Sequence, residues 1–262
     1  MSIGETLRNE ARPIISEMNM KVMIQGSQIR KSYSVGRDQV EILHGVSLAV
    51  RDGEMVAVMG PSGSGKSTLM YCLAGLEDVT AGAVSVNGVD MTAQSRAALA
   101  RMRRSDLGFM FQSYNLVPTL TAAENVELPY LLDGKKPPRD LILATLEKVG
   151  LGERVDARPS SMSGGEQQRV ALARVMAQKP KVLFADEPTG ALDTRMGRIV
   201  LEALAEIAHT PGQCALIVTH DPNVAAQCDR VIFMRDGNLV SEMTSPDAGA
   251  VAARLASLTT EG

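Results

Sequence analysis

The run Met55-Val56-Ala57-Val58-Met59 is apolar at every position. A strand alternates its side chains between two faces, so this run predicts a strand buried inside a parallel sheet. Val182-Leu183-Phe184-Ala185 and Ala215-Leu216-Ile217-Val218 resume the sheet, each after a helical stretch at the spacing of right-handed crossovers. From Val22 to about Val50 the pattern changes. There Val40, Ile42, Val46, Leu48 and Val50 alternate with polar residues, which predicts antiparallel strands with one wet face. Ser95 to Asp106 reads as a helix and Leu107 to Phe111 as a short buried strand, with Arg101, Arg103 and Arg104 assigned to a solvated face. Thr121 to about Ala177 is helical apart from breaks at Asp133-Gly134 and Pro137-Pro138, and reads as a helical subdomain inserted in the sheet. Val231 to Met234 and Leu239-Val240 flank Asp236-Gly237, a hairpin signal, and Val251, Leu255 and Leu258 predict a closing helix. At the other end Ile3, Leu7, Ile14, Ile15 and Met18 form a loose helical pattern broken at Pro13, which reads as a frayed leader or, alternatively, as a partner-binding amphipathic helix.

Composition narrows the field. The 262 residues suit one large α/β domain or two modest ones, and 45% hydrophobic with 22% charged residues is the balance of a soluble globular chain. Lys+Arg 27 against Asp+Glu 30 leaves a net charge of −3, without the positive field that duplex binding relies on. Aromatic residues are 3% with no Trp, which argues against a base-stacking surface, so nucleic acid is not an expected partner. Cys72, Cys214 and Cys228 form no C-x-x-C pair and are expected as buried thiols in a reducing compartment. No uncharged apolar run reaches the length of a membrane span, so the chain is expected neither to be secreted nor to cross a membrane by itself.

Gly60-Pro61-Ser62-Gly63-Ser64-Gly65-Lys66-Ser67 matches the phosphate-loop pattern, between a buried strand and a helical stretch from Thr68 to Leu73. Its glycines let backbone N–H groups turn inward, the helix terminus adds positive potential, Lys66 reaches the outer phosphates and Ser67 offers a hydroxyl to Mg²⁺. Asp186 and Glu187 end an apolar strand, where two adjacent acids are costly unless they serve a cation or a proton transfer. Asp186 would hold Mg²⁺ through its water shell and Glu187 would orient or deprotonate an attacking water. Ser163-Gly164-Gly165-Glu166 reads as a capping box before a helix, and its small residues also allow a second anion-binding surface.

These motifs, in this order, resemble the ATP-binding subunit of an ABC transporter over roughly Val22 to Met243. The resemblance implies a P-loop NTPase core with a mainly parallel α/β sheet, an antiparallel β subdomain and an inserted helical subdomain. Residues 1–20 would be a leader, 21–245 the ATP-binding domain with the helical subdomain at about 113–178, and 246–262 a C-terminal helix and tail. It further implies that Gly60 to Thr68 cradle ATP, Tyr33 stacks on adenine, Asp186 closes the Walker B strand and Glu187 is the catalytic carboxylate. Gln112 becomes the Q-loop glutamine near metal and water, His220 the switch histidine donating to the γ-phosphate, Met162 to Glu166 the signature, and Ala191-Leu192-Asp193 the D-loop. Met162 stands where leucine is usual and Glu166 where glutamine is commonest; both substitutions are mild. His44 and His209 are assigned structural roles.

In this family two subunits stack head to tail, so a second copy of the chain is an expected partner. The wording of Phe184 to Asp193 and of Leu120 to Pro129 is most similar to the lipoprotein-release, macrolide-efflux and cell-division subgroup. That implies an ATPase on the inner face of the cell membrane, driving a permease subunit with a large external domain. The permease would dock in the groove between the Gln112-to-Pro129 segment and the helical subdomain. The alternatives are a soluble ABC ATPase acting on ribosomes or DNA, or a regulatory subunit without turnover.

Overall fold

A computed structural model describes residues 20–190 and 192–260. The proposed leader, Met20 excepted, and Ala191 of the D-loop lie outside the described residues.

Strands β1 (Val22–Val35) and β2 (Asp38–Arg51) form a long hairpin, after which β3 (Met55–Met59) runs into α1 (Lys66–Leu73). β4 (Ala81–Val86) and β5 (Val89–Asp90) return to β1 and complete an antiparallel sheet of order β2-β1-β4-β5. α2 (Arg96–Ser105) is capped by Ser95 and leads into β6 (Leu107–Met110). Three helices then follow without a strand: α3 (Ala122–Leu132), α4 (Arg139–Lys148) and α5 (Gly164–Gln178). The remaining elements are β7 (Val182–Asp186), α6 (Thr194–Ala208), β8 (Cys214–Val218), α7 (Pro222–Ala225), the hairpin β9 (Arg230–Arg235) and β10 (Asn238–Thr244), and α8 (Ala248–Thr260). They build a six-stranded sheet of order β10-β9-β3-β8-β7-β6 in which only β10 is antiparallel to its neighbour.

Period-two alternation divides the interior in two. Met55, Ala57 and Met59 of β3, with Leu183 and Ala185 of β7 and Ala215 and Ile217 of β8, join one core with residues of α3, α4, α5, α6 and α8. Val56, Val58, Phe184, Leu216 and Val218 face the other way, onto α1 and the antiparallel sheet. Helical and antiparallel layers thus cover opposite faces of one parallel sheet. The three cysteines are free and buried.

Four expectations need correction. The strand before Gln112 stops at Met110, because the Phe111 carbonyl accepts from Tyr114 N–H and turns the chain away from β7. The helix after the glycine-rich loop starts at Lys66, two residues earlier than the pattern implied. In β2, Val40 is exposed and Leu43 rather than Ile42 is buried, since the register with β1 shifts between Lys31 and Ser32. Only Arg101 is fully exposed in its cluster: Arg103 donates to the Gly75 carbonyl, and Arg104 is partly buried with an unpartnered Nε.

Phe184 is fully buried and stacks on Phe109 with ring centroids 5.8 Å apart. Phe184→Ala should lower unfolding stability by ~3–5 kcal/mol in urea titration, and Phe184→Leu by less than half as much, since it leaves a smaller cavity.

Candidate active site

β3, β7 and β8 run parallel and end at the same edge of the sheet, and their last residues gather the polar groups there. After Met59 the chain needs glycine for steric reasons. A Cβ on Gly60 would lie 2.1 Å from the Met234 carbonyl oxygen, and Gly65, the N-cap of α1, adopts φ 94°. No side chain caps α1 and its first turn carries no acid, so its positive end faces outward toward an anion. Lys66 folds back over the loop, Nζ donating to the carbonyls of Gly60 at 2.9 Å and Pro61 at 2.7 Å. Burial lowers its pKa, against the opposing pull of Glu187 and Asp186. The Ser64 hydroxyl is buried without a partner, an unsatisfied group inside a loop shaped for phosphate oxygens.

Asp186 is buried at the end of β7. Its Oδ1 accepts from Ser67 Oγ at 3.4 Å and its Oδ2 from the Tyr71 hydroxyl at 3.2 Å. Burial raises its pKa, while those two hydroxyls work in the opposite direction. Glu187 follows with φ 49°, a left-handed conformation held by its N–H donating to the Val218 carbonyl. That twist aims its carboxylate at β8, where Oε1 meets His220 Nδ1 at 2.7 Å and Oε2 accepts from Thr219 Oγ1 at 3.4 Å. A carboxylate accepts, so this contact pairs Glu187 with an N–H at His220 Nδ1.

Gln112 sits in the turn after β6 and lines, with Tyr71, Glu77 and Asp186, a cleft of about 520 Å³. Tyr33 borders a second cleft of about 460 Å³ formed with Lys66, Ser67 and Thr68, which places its ring beside the phosphate loop. Its hydroxyl donates to Glu77, Lys31 Nζ lies 4.8 Å from its ring centroid, and burial with the Glu77 contact pushes its pKa up to about 12.

The structure therefore brings Tyr33, Gln112, the loop, Asp186, Glu187 and His220 together. Ser163 to Glu166 line neither cleft. They start α5, with Ser163 Oγ accepting from Glu166 N–H and Glu166 Oε2 accepting from Ser163 N–H. Asp193 caps α6 and borders a different cleft of about 570 Å³ with Thr189, Asp221 and Asn223. His44 bonds the Glu41 carbonyl and His209 bonds Asp229.

Sequence reasoning missed Tyr71, Thr219 and Arg154. Tyr71 had a signal, since it lies four residues after Ser67 and shares its helix face. Arg154, whose Nε donates to Glu166 Oε1 at 3.0 Å, comes from a separate turn and had none.

No group of three or more His, Cys, Asp or Glu side chains forms a metal cage among the described residues. One carboxylate and one hydroxyl, Asp186 and Ser67, fit a Mg²⁺ that takes its other ligands from phosphate and water.

A family model described as ABC transporter matches residues 43–190. The chain is 44% identical over 220 residues to the uncharacterized ABC transporter ATP-binding protein YvrO of Bacillus subtilis, covering 83% of this chain and 96% of that one. It is 45% identical over 223 residues to the macrolide export ATP-binding/permease protein MacB of Shigella flexneri, covering 84% of this chain but 34% of that longer protein. Among solved structures, the dimeric post-hydrolysis ATP-binding cassette MJ0796 bound to ADP and Pi superposes with a TM-score of 0.80 at 36% identity, over 86% of this chain and 99% of the other.

Contact with the Ser163 backbone, helped by the Ser163 hydroxyl and Arg154, holds the Glu166 carboxyl below the usual range, so its contribution to stability is present above the ordinary glutamate value and disappears as pH falls through the depressed one. Glu166→Gln should therefore lower the thermal midpoint at pH 7, and the gap to the parent should close below roughly pH 4. Thermal melts across pH 3–8 check this.

Proposed function

The chain belongs to the ABC transporter ATP-binding family, whose activity is ATP hydrolysis coupled to transport, and on that premise we propose that it is the ATPase subunit of an export or force-transmitting complex. One observation carries the residue assignment: Lys66, Asp186 and the Glu187–His220 pair converge on the start of α1, while Ser163 lies apart. Two copies stacked head to tail bring the Ser163 end of one to the phosphate loop of the other. The neighbour MJ0796, described as a dimer, supports this arrangement.

In the proposed reaction Tyr33 stacks on the adenine and residues 60–68 hold the phosphates through backbone N–H groups, with Lys66 exchanging its two carbonyl partners for phosphate oxygens. Ser67, Asp186 and Gln112 would hold a Mg²⁺, which would supply positive charge against the phosphates. Glu187 accepts a proton from the attacking water. The water oxygen bonds to the γ-phosphorus as the bond to the bridging oxygen breaks, and ADP leaves with that electron pair. His220 holds Glu187 in place through Nδ1, and its exposed ring donates to the γ-phosphate. Ser163, Gly164, Gly165 and Glu166 of the second copy, with its Asp193, close the site from the other side.

The relatives named for macrolide export join an ATP-binding part to a permease, which supports a separate permease partner here. We place its docking segment in the groove lined by Arg103, Arg104, Phe109, Phe111, Leu128 and Leu132, beside the exposed Leu131. A large external domain on that partner and a location on the inner face of the membrane follow from the same reading. No helix among the described residues is long and apolar enough to cross a membrane. Residues 21–245 form the ATP-binding domain, 113–178 its helical subdomain and 246–262 a closing segment in this division. The relatives' names concern transport, and ribosomal or DNA-directed work is set aside.

Glu187→Gln should bind ATP, hydrolyse it at least ~100-fold more slowly and accumulate as an ATP-dependent dimer in analytical ultracentrifugation. Adding Ser163→Ala should weaken that dimer. Hydrolysis at the parental rate by Glu187→Gln, or a dimer indifferent to Ser163→Ala, refutes the assignment.

A further inference from the structure

We infer that Arg174 is a positioning residue: it clamps the turn that presents Gln112 and couples that turn to the helix beginning beside Ser163. The turn is strained. Tyr114 N–H closes it onto the Phe111 carbonyl at 3.0 Å and Asn115 N–H onto the Ser113 carbonyl at 2.7 Å. Two consecutive residues other than glycine then stand in the left-handed region, Tyr114 at φ 61° and Asn115 at φ 47°. Asparagine tolerates that conformation, whereas a bulky tyrosine adopts it only when its surroundings impose it.

Arg174 imposes it. Its Nη1 donates to the Asn115 carbonyl at 2.9 Å and its Nη2 to the Tyr114 carbonyl at 3.1 Å, one planar fork spanning both strained residues. Burial pushes its guanidinium below the usual arginine range, and no carboxylate among the described residues offsets that. A charge held in this way without an acidic partner answers to the two carbonyls. Arg174 belongs to α5, about 15 Å beyond the Ser163 end at ~1.5 Å per residue. The turn it holds carries Gln112, Ser113 and Asn115 along the cleft that also contains Asp186. The guanidinium borders the apolar groove with Phe111 and Leu128, so an occupant of that groove would press on the clamp directly.

The inference rests on the role proposed above for Gln112, and the test separates the two. Arg174→Met keeps the apolar stem and removes both donors. It should lower kcat by about tenfold with the KM for ATP changed less than about twofold, and should speed hydrogen exchange of the Tyr114 and Asn115 amides at an unchanged thermal midpoint. Tyr114→Gly removes the strain the clamp opposes, so Arg174→Met with Tyr114→Gly should regain most of the lost kcat. A fall in thermal midpoint without altered kcat or exchange, or a double variant no faster than Arg174→Met, overturns the inference. Gln112→Ala reports on the glutamine itself. If it turns over at the parental rate, the proposed role of Gln112 fails, while exchange and rescue still decide whether Arg174 clamps the turn.

Discussion

β3, β7 and β8 have no wet face. Every side chain from Met55 to Met59, Val182 to Asp186 and Cys214 to Val218 is buried, because helices cover one side of the sheet and the antiparallel layer the other. A polar group within such strands would have to leave water without compensation. The chain can therefore place its chemistry only where the strands stop, and since they run parallel they stop together. The glycine-rich loop follows β3, Asp186 and Glu187 end or follow β7, and Thr219 and His220 follow β8. The site is a consequence of burying both faces of a parallel sheet.

That edge carries charges that do not fully satisfy one another. Burial raises the pKa of Asp186 and lowers that of Lys66, which are opposite responses to the same loss of water. Lys66 turns to two carbonyls of its own loop, and Asp186 takes hydroxyls from Ser67 and Tyr71. The Ser64 hydroxyl has no partner among the described residues. A polyphosphate supplies the negative charge that Lys66 and the start of α1 lack, so the folded chain is pre-organised for it at some cost to itself.

Much of this was legible along the chain. Unbroken apolar runs gave the parallel strands, and the capping box at Ser163 formed as its spacing implied. Contacts between distant segments were not legible. Arg103 and Arg104 look like the solvated face of a polar helix, yet packing of α2 against β6 and α3 turns them inward. The Glu187–His220 pair forms where two strand ends meet, with Glu187 in a left-handed conformation that glutamate seldom adopts. Tyr114 and Asn115 show the same limit, since no local propensity favours tyrosine at positive φ. Where tertiary contacts override local preference, sequence periodicity is silent, and those are the positions nearest the chemistry.

α5 gives these pieces a common axis. One end offers a capped helix start whose Ser163 is exposed, and further along Arg174 grips the turn bearing Gln112. The helix is rigid between them, with Val170, Leu172, Ala173 and Val175 packed in the core, so displacement at one end cannot be absorbed locally. An event at Ser163, in the head-to-tail arrangement proposed above, and an event in the groove beside Phe111 and Leu128 would both act on the same element. Coupling needs no wire of special residues in this arrangement. It needs a stiff helix, a strained turn at one of its sides, and two ligands that each prefer one setting of that turn.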